Sequence, residues 1–414
     1  MILLRANALS KGVSGCRPLL VDTLIEFLNS QLHPVIPMQG SCGSSGDLAP
    51  LAHLGLVMIG DPLGEAIVNG VRLPAPEALS QCQISPIQLE AKDGLAITNG
   101  AQLSTSLSSL ICADAKTLIH TAELAASMSI EALLGVSRAF HPSVHTLRPY
   151  KGAQQCAASI RNHISGSTLI DSVPQKVQDA YSLRCTPQVL GAVRDMHRFV
   201  SSQIQIELNA ATDNPLILLD EEGENKAFSA GMFHGEPIGM AIDSLKIAIC
   251  ELASISERRL YRLTTGNLSQ RLPPGLAGKD KPALGMMVPQ TTAAALVSEN
   301  KSLAWPASVD SIPTCEDQED HIAMSTVAAR RCWKVLENAR YVIAIELLTA
   351  AHALEHRLEE NPKYKLGKGS QQGFQLVHDL LFDLDSEVLI SDQIEAISKT
   401  IQTGLFVLPS VEEM

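Results

Sequence analysis

The residues best suited to chemistry lie in one short glycine-rich run, Gly40-Ser-Cys-Gly-Ser-Ser-Gly46. Asp47 follows at once and is a residue type that often begins a helix. Such a run can also form a flexible loop or a phosphate cradle, but the Walker spacing and its Lys-Ser or Lys-Thr pair are absent. A tight turn of glycine and serine could instead supply an electrophile from its own atoms.

This run resembles the Gly-Ser-x-Gly-Ala-Ser-Gly-Asp-Leu-x-Pro-Leu signature of the histidine and phenylalanine ammonia-lyase family. The resemblance implies that Ser44, Ser45 and Gly46 cyclise into a methylidene-imidazolone group, without an added cofactor. The Gly46 nitrogen would close on the Ser44 carbonyl, and Ser45 would lose water to leave an alkene. Ser44 replaces the usual alanine but takes no part in ring closure, so we expect cyclisation. A helix starting at Asp47 would favour the negative charge that develops.

A second polar segment, Asn99-Gly-Ala-Gln102, precedes a long stretch of helix-forming residues. Taken alone, an asparagine before a glycine is more often a turn or a cap than a catalytic group. The family carries an Asn-Gly-x-Gln motif at the matching place. The resemblance therefore implies that Asn99 lies beside the prosthetic group.

A third segment runs Gln178-Asp-Ala-Tyr181-Ser-Leu-Arg184. The spacing by three predicts that Gln178, Tyr181 and Arg184 line one side of a helical turn, an arrangement equally typical of a solvated helix end. The resemblance implies that Tyr181 helps to place the prosthetic group and to handle protons. It also implies that Arg184 binds the substrate carboxylate as a bidentate cation and that Gln178 belongs to the substrate site.

Two further candidates lie in segments that composition alone assigns to turns, Asn214-Pro and Gly231-Met-Phe-His-Gly235. The resemblance implies that Asn214 positions a carboxylate or the backbone. It implies that Phe233 forms an aromatic wall near the ring. Met232 departs from the asparagine that the family usually carries, so we expect the local geometry to differ there.

The segment Gln318-Glu-Asp-His321 bears on the substrate. Spacing alone favours a helix start here, in which Thr314 caps the helix and Asp317 completes a capping box. The segment resembles the Gln-Glu-Asp-His motif of histidine ammonia-lyases, whereas the phenylalanine enzymes carry Gln in place of Glu. The resemblance implies that Glu319 binds an imidazole. Leu190 resembles the phenylalanine branch instead, since histidine enzymes usually carry His there.

We therefore favour deamination of L-histidine to urocanate and ammonia. A phenylalanine or tyrosine ammonia-lyase or aminomutase, and a catalytically impaired paralogue, stay open as alternatives. The family carries a segment before the matching region, with Tyr-Gly-Val and Thr-Gly-Phe-Gly motifs, whose tyrosine removes the substrate proton. None of the five tyrosines here lies in such a motif. Loss of a general base costs on the order of a hundred- to ten-thousandfold in rate, so we expect an N-terminally truncated enzyme of low activity. A misplaced start, a split gene and a degenerate paralogue would each explain it.

One competing motif, His352-Ala-Leu-Glu355-His356, fits an inverted zinc-protease pattern. The surrounding residues form a continuous apolar and small-residue stretch, and no downstream acidic ligand stands out. We predict a bundle helix there and no metal site.

Long helices are predicted to position these residues. Residues 101–134 and 314–361 contain neither glycine nor proline, and apolar residues recur at steps of three and four from Ile242 to Ile255. We predict one all-α domain over 1–414, a long-helix bundle that resembles the aromatic ammonia-lyase type. The resemblance also implies a homotetramer with shared active sites. Its parts are expected near 37–60 (prosthetic group), 101–134, 192–211, 237–263 and 316–361 (central helices) and 362–414 (C-terminal helices), with 215–219 as a strand candidate.

Composition excludes several classes of function. The chain has 414 residues, a net charge of −12 and 4% aromatic residues, which argues against nucleic-acid binding. Its nine scattered cysteines, without a Cys-x-x-Cys pair, indicate reduced thiols in a cytoplasmic protein. The apolar stretch 48–60 is interrupted by Pro50 and His53, so we expect no membrane span.

Overall fold

The structure is a computed structural model that describes residues 1–277, 285–382 and 389–408. Helices dominate these ranges, which confirms the predicted all-α class. The α-helices are α1 (Ile2–Leu9), α2 (Pro18–Asn29), α3 (Leu48–Met58), α4 (Ala75–Gln81), α5 (Asp93–Thr98), α6 (Gln102–Ala132), α7 (Pro142–Thr146), α8 (Lys151–His163), α9 (Tyr181–Arg184), α10 (Thr186–Glu207), α11 (Glu236–Thr264), α12 (Met287–Leu303), α13 (Ser325–Glu360), α14 (Lys368–Phe382) and α15 (Ile390–Gln402). The strands are β1 (His33–Pro34), β2 (Glu65–Val68), β3 (Val71–Pro74), β4 (Leu216–Leu219) and β5 (Asn225–Phe228).

Contacts between Cα atoms divide the chain into two compact units. The first consists of Met1–Ile111, Val200–Ser244 and Pro306–Cys332, and the second of Cys112–Phe199, Leu245–Trp305 and Trp333–Met414. That the whole chain acts as one domain stays a prediction.

The long helices α6 and α11 lie close to their predicted positions, whereas α10 and α13 begin at other residues than predicted. α6 falls inside 101–134, and α11 exceeds 237–263 by one residue at each end. α10 begins earlier than predicted, at Thr186, because Pro187 fits a first helical turn, where no backbone N–H is needed. The predicted start of the last central helix at 316 is wrong, since α13 begins only at Ser325.

The first unit contains a core built from short elements. α2 buries Leu20, Leu24 and Phe27, which recur at steps of three and four and so lie on one helix face. β1, β2 and β3 form an antiparallel sheet in that order. The strands β2 and β3 are joined at Asn69 and Gly70, both with positive φ, as a two-residue hairpin turn requires. The sequence predicted none of these three strands, whereas β4 matches the predicted segment 215–219 and pairs with β5.

The second unit is built mainly from long helices that bury charged groups. Glu346 of α13 accepts hydrogen bonds from Ser129 of α6 and Ser256 of α11, at 2.7 and 2.5 Å. The guanidinium of Arg259, also on α11, bonds both oxygens of the same carboxylate. This cluster joins three helices within the second unit. None of the helices in the described ranges has both the length and the apolar character needed to cross a bilayer.

Candidate active site

The predicted triad Ser44, Ser45 and Gly46 lies in the loop that leads into α3, within the first unit. Gly46 has φ +75°, in the left-handed region that favours glycine. It pairs with Gly100 in an isolated parallel bridge, and the next residue, Asp47, donates its N–H to the Gly100 carbonyl at 2.8 Å. A side chain at position 46 would collide with the carbonyl group of Gly100. Both conformation and space therefore require a glycine here.

The loop fits the expected precursor of a methylidene-imidazolone group in three other respects. Ser44 is buried, so the carbonyl on which the ring would close lies away from bulk water. Gly43 also has a positive φ, and a side chain there would meet Ser325. The loop ends directly at the N-terminus of α3, where the helix dipole favours negative charge.

Asp47 is the hub of this loop. It occupies the N-cap position of α3, but its side chain makes no capping hydrogen bond, which corrects the role that the sequence suggested. Its Oδ1 accepts from Ser41 Oγ at 2.7 Å and from Thr326 Oγ1 at 2.5 Å. Its Oδ2 accepts from the backbone N–H and the hydroxyl of Ser104, at 2.8 and 3.0 Å. A fully buried carboxylate thus ties the triad loop to the starts of α6 and α13 through neutral donors.

Asn99 lies at the end of α5, and its neighbour in the chain is the Gly100 that contacts Gly46. The side chain is 5% exposed, and its Oδ1 finds no hydrogen-bond partner in the described part of the chain. A buried amide oxygen without a donor costs free energy unless a ligand supplies the donor. The geometry therefore brings Asn99 to the triad loop with an open acceptor.

Arg5 also supports this segment, a role that the sequence did not predict. Its Nη1 donates to the Asn99 carbonyl at 2.7 Å, to Gln102 Oε1 at 2.8 Å and to the Thr212 carbonyl at 3.1 Å. Burial lowers the pKa of Arg5 to about 10. The guanidinium thus cross-links three stretches of chain around Asn99.

Asn214 and Phe233 also belong to the first unit. Asn214 Oδ1 accepts from the backbone N–H of Ala230 at 2.7 Å, so its side chain holds the backbone that leads to Phe233. The half-buried Phe233 lies in the loop before α11. In this loop Gly235 donates its N–H to the Gly43 carbonyl at 3.4 Å. The Phe233 loop is therefore attached to the triad loop.

Glu319 lies directly at the triad. Its Oε1 accepts from Ser45 Oγ and its Oε2 from Thr314 Oγ1, each at 2.5 Å. Burial acts to raise the pKa of Glu319, but hydrogen bonds from Ser45, Thr314, Ser44 and Cys315 outweigh it and lower the pKa to about 2. The carboxylate is therefore ionised at neutral pH while its donors are neutral groups.

The capping box predicted for Thr314 and Asp317 is not formed. Cys315, Glu316 and Asp317 all have positive φ, between 51° and 64°, which a right-handed helix of L-residues does not allow. Thr314 and Glu319 instead pair through backbone hydrogen bonds of 3.1 and 3.3 Å. The segment is a closed turn that presents Glu319 to Ser45.

The other predicted residues, Gln178, Tyr181 and Arg184, lie in the second unit. The predicted helical turn over all three is wrong, because the extended residue Ala180 precedes the short α9 and leaves Gln178 outside it. The Arg184 guanidinium carbon lies 4.9 Å from the centre of the Tyr181 ring, which is 71% exposed. The buried Nε of Arg184 has no hydrogen-bond partner among the described residues. Such an N–H can serve a carboxylate.

The histidines of the competing zinc motif make ordinary helix contacts. His352 Nδ1 lies 3.6 Å from Glu355 Oε2, and His356 Nε2 lies 3.3 Å from the Leu276 carbonyl. Across 1–277, 285–382 and 389–408, no three His, Cys, Asp or Glu side chains converge as metal ligands would. All nine cysteines lie in these ranges, and each is a free thiol.

Comparison with known proteins identifies the family of enzymes to which this helical chain belongs. The sequence profile of the aromatic amino acid lyases matches residues 1–379. The chain belongs to the aromatic amino acid lyase family, which confirms the resemblance found in the sequence.

Individual relatives agree with this assignment. Histidine ammonia-lyase from Geobacillus kaustophilus (strain HTA426) is 46% identical over 399 residues, which cover 96% of this chain and 77% of that protein. The structure of histidine ammonia-lyase from Trypanosoma cruzi matches with a TM-score of 0.89 at 37% identity, covering 98% of this chain and 75% of that one. Phenylalanine aminomutase from Pantoea agglomerans matches with a TM-score of 0.90 at 33% identity, covering 98% and 81%.

Proposed function

We propose that this chain is a histidine ammonia-lyase, a carbon–nitrogen lyase that converts L-histidine to urocanate and ammonia. The observation that carries the proposal is Glu319, an ionised carboxylate hydrogen-bonded to the central serine of the triad. Such a group can accept a hydrogen bond from an imidazole N–H, whereas it would be costly against a phenyl ring. The relatives named histidine ammonia-lyase support the same choice.

We further propose that Ser44, Ser45 and Gly46 form a methylidene-imidazolone group, with no metal. The left-handed Gly46, the absence of space for a side chain there and the buried Ser44 support this assignment. The group would supply an electrophilic alkene that makes the substrate nitrogen a better leaving group.

The side chains described above would bind the substrate and handle its protons. Arg184 would hold the carboxylate through its unpaired N–H, and Glu319 would accept the imidazole N–H. Tyr181, with an exposed ring, would take part in proton transfer. The proposed catalytic residues are Ser44, Ser45, Gly46, Asn99 and Tyr181, and the proposed binding residues are Gln178, Arg184, Asn214, Phe233 and Glu319.

We also propose a cytoplasmic homotetramer with shared active sites. Several large apolar side chains are exposed on the single chain, among them Met38 at 75%, Leu147 at 88% and Val177 at 82%. Exposed apolar side chains of this kind suit burial against other subunits. The free thiols suit a reducing compartment. Light scattering of the purified protein would give its mass in solution.

Intact mass and turnover test the activity. The purified chain should be lighter than its sequence by two waters, whereas Ser45→Ala, which has no hydroxyl to eliminate, should be lighter than its own sequence by one water at most. Turnover of histidine, followed as urocanate, should exceed turnover of phenylalanine and tyrosine, and Glu319→Gln should reduce it. An unmodified wild-type mass would argue against any lyase of this kind.

A phenylalanine or tyrosine enzyme is the second candidate, because Leu190 matches that branch. Leu190 is fully buried in α10. Faster turnover of phenylalanine or tyrosine than of histidine would favour this candidate. A modified triad without turnover of any of the three would favour an impaired paralogue.

A further inference from the structure

Two of the donors to Glu319 have different fates in the proposed maturation, whereas Ser44, a further donor, would keep its hydroxyl. Ser45 Oγ bonds Oε1 and Thr314 Oγ1 bonds Oε2, each at 2.5 Å. Formation of the ring would remove the Ser45 hydroxyl as water. Oε1 would then lose this donor, while Oε2 would keep Thr314.

The backbone fixes Thr314 relative to Glu319. The two residues pair through hydrogen bonds of 3.1 and 3.3 Å, and the three left-handed residues 315–317 close the turn between them. The hydroxyl of Thr314 is therefore held at one oxygen of the carboxylate. The exposed Cys315 is another neighbour on this turn, and its hydrogen bond to Glu319 raises the pKa of the Cys315 thiol. An S–H group is a weak donor compared with a hydroxyl.

We propose that Thr314 is a positioning residue for substrate recognition. Its hydroxyl holds Oε2 of Glu319 so that Oε1, which loses the Ser45 hydroxyl when the alkene forms, accepts the imidazole N–H of the substrate. This inference rests on the proposed function. Without the Thr314 hydroxyl the carboxylate would turn more freely, and the preference for an imidazole over a phenyl ring would fall.

Binding of two unreactive ligands tests this role. Imidazole-4-propionate and 3-phenylpropionate share a carboxylate and lack the amino group, so neither can be deaminated. We expect the wild type to prefer the imidazole ligand in titration calorimetry. Thr314→Val should weaken that ligand about tenfold, the usual cost of one hydrogen bond to a charged group, and leave the phenyl ligand unchanged. Thr314→Ser, which keeps the hydroxyl, and Cys315→Ala, on the same turn, should both resemble the wild type.

The outcomes separate this inference from the proposed function. A wild type without a preference for the imidazole ligand would overturn the histidine assignment, and this inference with it. A preference that is undiminished in Thr314→Val, or an equal loss for both ligands, would overturn the role of Thr314 alone. Intact mass and thermal unfolding of each variant report maturation and folding. A Thr314→Val chain that fails in either would also contradict the proposal, because the proposed role concerns recognition after maturation.

Discussion

The carboxylates around the triad loop and the carboxylate that joins the long helices of the second unit are held in different ways. In the first unit, Asp47 and Glu319 are bonded by hydroxyl and amide groups, all neutral. In the second, Glu346 faces the guanidinium of Arg259, with both side chains fully buried and the closest N···O distance 2.5 Å. Neutral donors leave the net negative charge of a carboxylate in place, whereas an arginine cancels it. A carboxylate of the first kind can still attract a ligand.

The contrast distinguishes the groups proposed to bind the substrate from groups of the scaffold. Around the triad, Asn99 Oδ1 lacks a partner in the described ranges, and Glu319 depends on a serine that the proposed chemistry consumes. Around Glu346, two serines and an arginine satisfy the carboxylate fully. A carboxylate satisfied in this way leaves no oxygen open for a ligand.

The largest expected effect comes from breaking the ion pair of the second unit. Arg259→Met leaves the Glu346 carboxylate buried without its counter-charge, which should lower the free energy of unfolding by about 3–5 kcal/mol. Urea denaturation followed by circular dichroism would measure it. The double variant with Glu346→Leu removes both charges and should recover most of the loss. A single variant as stable as the wild type would show that the pair contributes little.

A smaller effect is expected at the hub of the first unit. Asp47→Asn keeps the shape but places an NH₂ group against donors at Ser104 or at Ser41 and Thr326, which should cost about 1–3 kcal/mol in stability. It should also slow the loss of water from the triad, because the loop is no longer held. A time course of intact mass measures this step. Ser41→Ala removes one donor only and should give a milder change. Equal maturation rates in Asp47→Asn and wild type would contradict the role of the hub.

The sequence was sufficient for the parts of this site that are local. Ser44, Ser45 and Gly46 form a contiguous motif, and the structure explains the glycine by its φ and by the nearby Gly100 backbone. Glu319 was proposed in the same way, from the four-residue motif around it, and it lies within hydrogen-bond distance of Ser45. Local motifs carry such information because neighbouring residues in the chain share one loop.

The remaining parts of the site depend on residues far apart in the chain. Asp47 was predicted as a cap, but its donors Ser104 and Thr326 come from other elements. The lack of Gly and Pro suggested a helix from 314, yet the residues 315–317 adopt positive φ because the turn closes on Glu319. Residue types alone do not reveal such strained backbone conformations, which tertiary contacts stabilise.

The smallest expected effect is a change of the unfolding free energy with pH, which can be measured for both kinds of carboxylate. The pKa of Glu319 is lowered from 4.5 to about 2 while Ser45 keeps its hydroxyl. Because the folded chain favours the ionised form, Glu319 contributes stability above pH 4.5 that is lost as the pH falls toward about 2. The measurement compares the chain with its Glu319→Gln variant, both shown by intact mass to carry an unmodified triad. The difference between their unfolding free energies should be constant between pH 8 and about 5.5 and should shrink at lower pH.

Ser45→Ala sharpens this measurement because it removes one neutral donor. The pKa of Glu319 should then lie nearer 4.5, so the contribution should be smaller and should disappear at a higher pH. Glu123 in the second unit is the matched case. Burial acts to raise the pKa of Glu123, but hydrogen bonds and the charge of Arg194 lower it. Its acid dependence should not respond to Ser45→Ala, since its partners lie in the second unit. A Glu319 profile equally insensitive to Ser45→Ala would mean that the serine hydroxyl does not set the charge at this site.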